Sequence, residues 1–315
     1  MVEIIVIKNG IVPVLERTAA CIGYFDAFHK GHQKLIRETI AQAKKEKILP
    51  ALICFSPDPV SIIQNKKIPH LFPDVLRYEL AHHFGIEKIL QFEFNEDLMN
   101  MDPSDFIMHD LNRLNLSKLI CGFDFTYGYQ GKGNAKTLSA SSIATEVVDS
   151  VDDAGMKISS ARIRRLLHNG DIESANRLLI QPYSICGEVI YGRQIGSTIG
   201  FPTANIKVSA DKCLPLDGVY AAVANIDGHS YSCMVNIGHN PTLCSEYPIS
   251  VEAHILDFDS DIYGRILKVS LIRRIRDEIR FDSLSALKAQ LAKDKETAEK
   301  LVNLWYTNKG DRYDR

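Results

Sequence analysis

Short apolar runs alternate with longer stretches carrying apolar residues at helical spacing from residue 18 to about residue 122. This is the pattern of βα units feeding a parallel sheet. Thr18 to Ile22 predicts a first strand, and Leu35, Ile36, Ile40 and Ala43 then recur on one helical face. Ala51 to Phe55 predicts a second strand ending at Ser56-Pro57, and Asp74 to Phe84 reads as a helix. Lys88 to Phe92 and Lys118 to Cys121 supply further strands around a helix that opens at Asp102-Pro103, with Asp as N-cap and Pro at the first helical position. A glycine-rich loop, Gly122 to Gly133, precedes one more strand at Thr145 to Val148. Ser159 caps a helix over Ala161 to His168 that stops at Gly170, and Asp171 starts another short one.

The rhythm changes between residues 181 and 191. Short β-rich runs broken by Gly, Pro, Asn and Asp continue to about residue 275, as in a small antiparallel barrel or sandwich. From Asp282 to Trp305 helical spacing returns through Leu284, Leu287, Leu291, Leu301 and Val302, predicting a helix or helix pair packed on that β domain. The expected architecture is therefore an α/β domain over residues 1–181 and a small β domain with a C-terminal helix over 182–315.

At 315 residues the chain is long enough for two domains that each bury a core. A net charge of −2 gives no general field for nucleic acid or anionic membrane, so any polyanion is expected to be small and locally held, as ATP is. Met1 to Ile7 lacks the basic and long apolar regions of a signal peptide, and no apolar run approaches about 18 residues, so a cytoplasmic protein is expected. The seven cysteines include no Cys-x-x-Cys, and Cys21, Cys54 and Cys121 sit in or at the ends of strand-like runs, where they read as small buried residues.

Two segments carry candidate chemistry in the first half. Gly23-Tyr-Phe-Asp-Ala-Phe-His-Lys-Gly-His32 lies between a strand and a helix, where an open α/β sheet presents its ligand crevice. Gly31 allows close backbone approach, and His29 and His32 can offer imidazole donors beside a helix N-terminus that already favours anions. Two histidines three apart also fit a surface pair or a helix cap, and the spacing lacks the further ligands of a zinc centre. Ile158-Ser-Ser-Ala-Arg-Ile-Arg164 places Ser159, Ser160, Arg162 and Arg164 at another helix start, suited to a triphosphate or equally to an ordinary cap with solvated arginines.

In the second half, Gly192 to Asn205 joins a glycine-bearing flap to Thr203 and Asn205, which share one face of the following strand. Both are neutral oxygen donors of the kind that complete a Mg²⁺ shell with phosphate and water, although the glycines also fit plain bulges and turns. No Gly-x4-Gly-Lys-Ser/Thr occurs, so this is no Walker loop.

Gly23 to His32 and Ile158 to Arg164 resemble motifs of the nucleotidyltransferase superfamily at the spacing seen in bacterial FAD synthetases. Phe55-Ser-Pro-Asp-Pro59 and Gly122-Phe-Asp-Phe-Thr-Tyr-Gly128 resemble further signatures of that branch. Gly200-Phe-Pro-Thr-Ala-Asn205 is similar to the riboflavin kinase hallmark, and Gly218-Val-Tyr220, Asn236-Ile-Gly238, Pro241-Thr242 and Val251-Glu-Ala-His254 follow in family order. The resemblance implies a Rossmann-like nucleotidyltransferase domain followed by an antiparallel β-barrel, with riboflavin phosphorylated to FMN in the barrel and FMN adenylylated to FAD in the α/β domain. It implies ATP contacts at Gly23, Gly31, Ser159, Ser160, Arg162, Arg164, Gly200, Thr203 and Asn205, and catalytic roles for His29 and His32. It also implies Mg²⁺ on Thr203 and Asn205, Glu252 as general base, and flavin contacts at Asp124, Phe125, Arg276 and Phe281.

Four positions depart from the family pattern. Tyr24 replaces Asn, Ala27 replaces Gly with loss of backbone freedom, Asp58 replaces His, and Ser197 stands where Arg or Lys is common, leaving Arg193 as a substitute. Two rival readings follow: a kinase with a weakened first domain, and a flavin-sensing regulator.

Overall fold

The computed structural model describes residues 2–8, 11–12, 15–192, 195–239 and 249–310; Arg193, Pro241 and Thr242 lie outside them, as does the side chain of Ser197. The chain divides into two compact units, Met1–Ser160 and Ala161–Arg315.

The first unit is built on six parallel strands: β1 (Glu3–Ile7), β2 (Thr18–Ile22), β3 (Leu49–Ser56), β4 (Lys88–Glu93), β5 (Leu116–Gly122) and β6 (Thr145–Val148). Their order is β1-β4-β3-β2-β5-β6, every neighbouring pair parallel. All five residues of β2 are buried, as a central parallel strand covered on both faces requires. From β2 the chain moves outward through β3 and β4, then crosses back to place β5 on the other side of β2. The reversal opens a crevice at the carboxyl ends of β2 and β5, where Gly23 and Gly122 lie.

Helix α1 (Lys30–Glu46) buries Leu35, Ile36, Thr39 and Ala43 and ends on Lys47 in the left-handed conformation. Helix α2 (Asp74–Phe84) stops at Gly85, whose φ of 102° favours glycine. The helix expected at Asp102-Pro103 does open there, but winds as α over Pro103–Asp105, π over Phe106–Asp110 and 3₁₀ over Leu111–Leu114. The glycine-rich loop holds a two-residue hairpin, Thr126–Tyr127 with Gly133–Asn134.

The second unit begins with helices α3 (Ser160–His168) and α4 (Ile172–Leu178). Asn176 on α4 donates through Nδ2 to the Leu271 carbonyl at 2.9 Å and accepts from the Tyr183 amide at 2.7 Å. Six antiparallel strands follow: β7 (Ser184–Ile190), β8 (Ala204–Lys207), β9 (Gly218–Ile226), β10 (His229–His239), β11 (Ile249–Ile255) and β12 (Ile266–Arg276). They close as β7-β8-β11-β10-β9-β12, deciding between barrel and sandwich. Register shifts beside Val219 and Ala221 supply curvature along the β9–β12 pair.

Strand β9 reads as an unbroken apolar run because both its faces are covered. Val219, Ala221 and Val223 pack with Ala298 and Val302 of a single C-terminal helix, α5 (Leu284–Gly310). Met234 on β10 joins the same cluster, so that helix covers part of the outer face of the barrel.

Candidate active sites

Around the carboxyl ends of β2 and β5 a cavity of about 990 Å³ is lined by Gly23, Tyr24, His29, Gly31, His32, Asp124, Phe125, Ser159 and Ser160 among others. That is the upper end of the size range of small-molecule sites. His29 is the N-cap of α1: its Nδ1 accepts the His32 amide at 3.2 Å. The two rings stack with centroids 3.7 Å apart and planes at 17°. Gly31 permits this, since a Cβ there would stand 3.1 Å from His29 Nδ1 and Cε1.

Burial pushes the His29 imidazole down to about 4, and burial together with the neighbouring His29 holds His32 well below the usual histidine range. Both rings are therefore neutral near pH 7. Because His29 Nδ1 accepts, its one proton sits on Nε2, as a donor. His32 Nδ1 is buried without a hydrogen-bond partner among the described residues. An anion at the start of α1 meets neutral donors and free helical N–H groups.

Asp124 is paired with Lys157, whose ammonium also lies 4.8 Å from the Phe123 ring centre. Phe125 stacks on Tyr127 at 5.9 Å and 17°, while Phe123 stands exposed beside it. Ser159 and Ser160 end the cavity lining, and Arg162 and Arg164 follow on α3, the first buried and the second half-buried. Ala27 is fully buried but does not occupy the left-handed region; Phe25 and Phe28 do, with φ of 55° and 47°. The backbone freedom expected of a glycine at position 27 is therefore not needed. Asp58 caps the short helix Pro59–Ile63, accepting from the Val60 amide at 2.9 Å and the Ser61 hydroxyl at 3.2 Å.

In the barrel, β8 and β11 bring distant residues together. Asn205 lies opposite Glu252, and Asn236 on β10 lies opposite Glu252 on its other side. The Thr203 hydroxyl donates to Glu252 Oε2 at 3.3 Å. Side-chain alternation puts these groups on the outer face of the barrel, with Met234 two residues from Asn236. Gly192 passes so close to the Asn205 amide that a Cβ there would overlap it. His254 Nδ1 donates to the Pro202 carbonyl at 2.7 Å, fixing the start of the Thr203 to Asn205 segment. Gly200 adopts φ 85° with open space around it, so its glycine is required by backbone conformation rather than by crowding.

Thr203 and Asn205 contribute oxygens and Glu252 a carboxylate, while the described residues hold no cluster of three His, Cys, Asp or Glu. That donor set fits Mg²⁺, which keeps water and substrate phosphate as ligands, and not a metal in an all-protein cage. With its proton on Glu252, the Thr203 oxygen keeps lone pairs for a cation.

Arg276 is held by the C-terminal helix. Its Nε and Nη2 bind the buried Asp294 of α5 at 2.7–3.1 Å and its Nη1 donates to the Asp277 carbonyl at 2.8 Å, with the Phe281 ring 5.9 Å away. Sequence reasoning passed over Asn236, and over Glu278, which accepts from Asn236 Nδ2 at 3.2 Å. Asn236 already stood inside a recognised motif, and period-2 alternation from Met234 was the signal that could have picked it out.

An α/β unit with a stacked histidine pair at its strand ends, joined in one chain to a barrel carrying a hydroxyl, an amide and a carboxylate, has the parts of a two-site transferase. A family profile described as FAD synthetase matches residues 12–162, and one described as riboflavin kinase matches 179–302. The chain is 36% identical over 289 residues to the bifunctional riboflavin kinase/FMN adenylyltransferase of Bacillus subtilis strain 168, covering 90% of this chain and 92% of that protein. It is 32% identical to the Escherichia coli K12 protein of the same description, with the same coverage. A solved structure described as a macrolide-efflux protein from Streptococcus pneumoniae superposes with a TM-score of 0.87 at 30% identity, over 95% of this chain and 99% of that one. Among the described residues no helix is long and apolar enough to cross a membrane. The chain belongs to the bifunctional riboflavin kinase/FMN adenylyltransferase family.

Proposed function

We propose that the barrel transfers the γ-phosphoryl group of ATP to the riboflavin 5′-hydroxyl, giving FMN and ADP, and that the α/β unit transfers the adenylyl group of a second ATP to FMN, giving FAD and pyrophosphate. The observation that carries this reading is the convergence of Thr203 and Asn205 on Glu252, which lies 49 residues beyond Thr203 along the chain.

In the barrel, Glu252 accepts the proton of the riboflavin hydroxyl as its oxygen bonds to phosphorus. Thr203 orients that carboxylate. Thr203 and Asn205 would hold Mg²⁺, which supplies charge neutralisation for the ATP phosphates when bound. Gly200 gives the flap its turn over the nucleotide, and Phe281 borders the flavin, with Arg276 beside it.

In the α/β unit the nucleophile is the FMN phosphate, already an anion, so no base is needed. His29 and His32 donate to the ATP phosphates as charge develops on them, with Gly23, Gly31, Ser159 and Ser160 lining the nucleotide and Arg162 and Arg164 providing fixed charge. Asp124 and Phe125 meet the flavin. By function the division falls at 181/182, near the start of the riboflavin kinase match at 179, although the compact units part at 160/161. Cys21, Cys54, Cys121 and Cys233 are buried free thiols, in keeping with a cytoplasmic protein.

Tyr24, Ala27 and Asp58 each have a built place in the α/β unit, which favours an active first site over a weakened one. Incubation of the purified chain with ATP and Mg²⁺, once with riboflavin and once with FMN, followed by chromatography, is expected to give FMN in the first case and FAD with pyrophosphate in the second. No FAD from FMN removes the adenylyltransferase assignment, and no FMN from riboflavin removes the kinase.

A further inference from the structure

The loop from Gly23 to His29 carries Phe25 and Phe28 in the left-handed region, both 1% exposed. Bulky side chains seldom adopt that conformation, so the surroundings must hold it. Part of the hold is local: Gln33 Nε2 donates to the Phe28 carbonyl at 3.0 Å. The rest converges on Tyr24.

Arg77, on α2 and 2% exposed, donates through Nη1 to the Tyr24 carbonyl at 2.8 Å. Its guanidinium carbon lies 4.9 Å from the centre of the Tyr24 ring, and Asp74 pairs with its Nη2. One planar cation thus fixes both the backbone and the ring of the same residue, which a lysine cannot do. The Tyr24 hydroxyl meets His70 Nδ1 at 2.9 Å. His70 Nδ1 is 3.9 Å from a carboxylate oxygen of Asp26, which is fully buried and accepts the Leu71 amide at 3.0 Å. The Phe72 amide donates to the Asp26 carbonyl at 3.2 Å, closing the loop against residues 70–72. An asparagine at position 24 would supply neither the ring under Arg77 nor a hydroxyl at this reach.

We propose that Arg77, Tyr24 and His70 form a positioning unit for adenylyl transfer, holding the strained loop so that the stacked His29–His32 pair is in place before ATP arrives. This rests on the adenylyltransferase reading of the cavity. Arg77 and His70 act through the loop, whereas Tyr24 also lines the cavity itself.

The test measures kcat and KM for ATP in FAD formation from FMN, and riboflavin phosphorylation by the same preparation, for the unmodified chain, Arg77→Lys and Tyr24→Phe. Misplaced catalytic groups cost up to about 100-fold, so Arg77→Lys is expected to lower kcat by at least about 10-fold while KM for ATP shifts less than about threefold. Tyr24→Phe, which keeps the ring and loses the hydroxyl, is expected to lower kcat by about fivefold, the worth of one hydrogen bond. Riboflavin phosphorylation, carried out in the other compact unit, is expected to stay unchanged in both. Both variants are expected to keep the circular dichroism and denaturant midpoint of the unmodified chain, which loss of the α/β fold would not allow. Unchanged kcat in either variant, or a parallel fall in both activities, overturns the proposal. If Arg77→Lys yields no folded chain, Tyr24→Phe alone decides it. An unmodified chain that makes no FAD contradicts instead the adenylyltransferase reading.

Discussion

The two sites differ in charge: one presents neutral donors, the other a carboxylate. The first offers buried neutral imidazoles and helical N–H groups, with the Asp124 carboxylate already paired to Lys157; the second sets the half-buried Glu252 carboxylate among a hydroxyl and two amides. The difference follows from the nucleophiles. A phosphate anion needs no proton removed and is repelled by a carboxylate, so donors suffice. A primary hydroxyl must lose a proton as it attacks, so a base is required.

The largest effect is expected at that base. Glu252→Gln preserves shape and removes the proton acceptor, and it should lower riboflavin phosphorylation by about 10³-fold, as loss of a general base does, with FAD formation from FMN retained. A fall of less than tenfold would show that the hydroxyl needs no base from the protein and would erase the contrast. Next comes His29→Ala, which removes a donor and the cap of α1. FAD formation is expected to fall by about 10²-fold or more while riboflavin phosphorylation persists, measured as product per minute for each flavin.

A smaller effect separates the sites by pH. The unfolded chain takes up a proton at His29 near the ordinary histidine value of 6.5, whereas the folded chain does so only near 4. The stability that the neutral ring contributes is complete above about pH 6.5 and is lost as pH falls from there towards 4. At pH 5 the loss from His29 is about 2 kcal/mol, and His32 shifts in the same direction. Denaturant unfolding at pH 7 and pH 5 should show this loss in the unmodified chain and less of it in His29→Gln. Equal losses in the two would mean that the ring is charged in the folded state.

The sequence made the alternating units, the helix over 74–84 and the strands at 18–22 and 145–148 readable, because each has its own apolar pattern and punctuation. Strand β1 escaped it: Glu3–Ile7 is an edge strand whose partner β4 begins at Lys88, and no local signal announces that pairing. The passage from α to π to 3₁₀ winding over 103–114 was equally hidden, since side-chain periodicity barely distinguishes the three over so few residues. In the sites, spacing set Thr203 and Asn205 on one face but fitted a plain strand start as well, and resemblance supplied their role as it did that of Glu252. The engagement of Arg276 by Asp294, 18 residues on, depends on how α5 lies against β12 and could not be read from either segment. The same holds for Tyr24, which resemblance marked as a departure from the family pattern and which tertiary contact shows bound by Arg77 and His70.

Two separate sites acting in sequence are expected to pass free FMN from one to the other. The most direct measurement mixes the His29→Ala and Glu252→Gln chains with ATP, Mg²⁺ and riboflavin and follows FAD. Each variant alone is expected to form almost none, and the mixture to form FAD after a lag in which FMN accumulates. A mixture that stays inactive, although each variant keeps its own remaining half-reaction, would contradict free passage of FMN between separate sites.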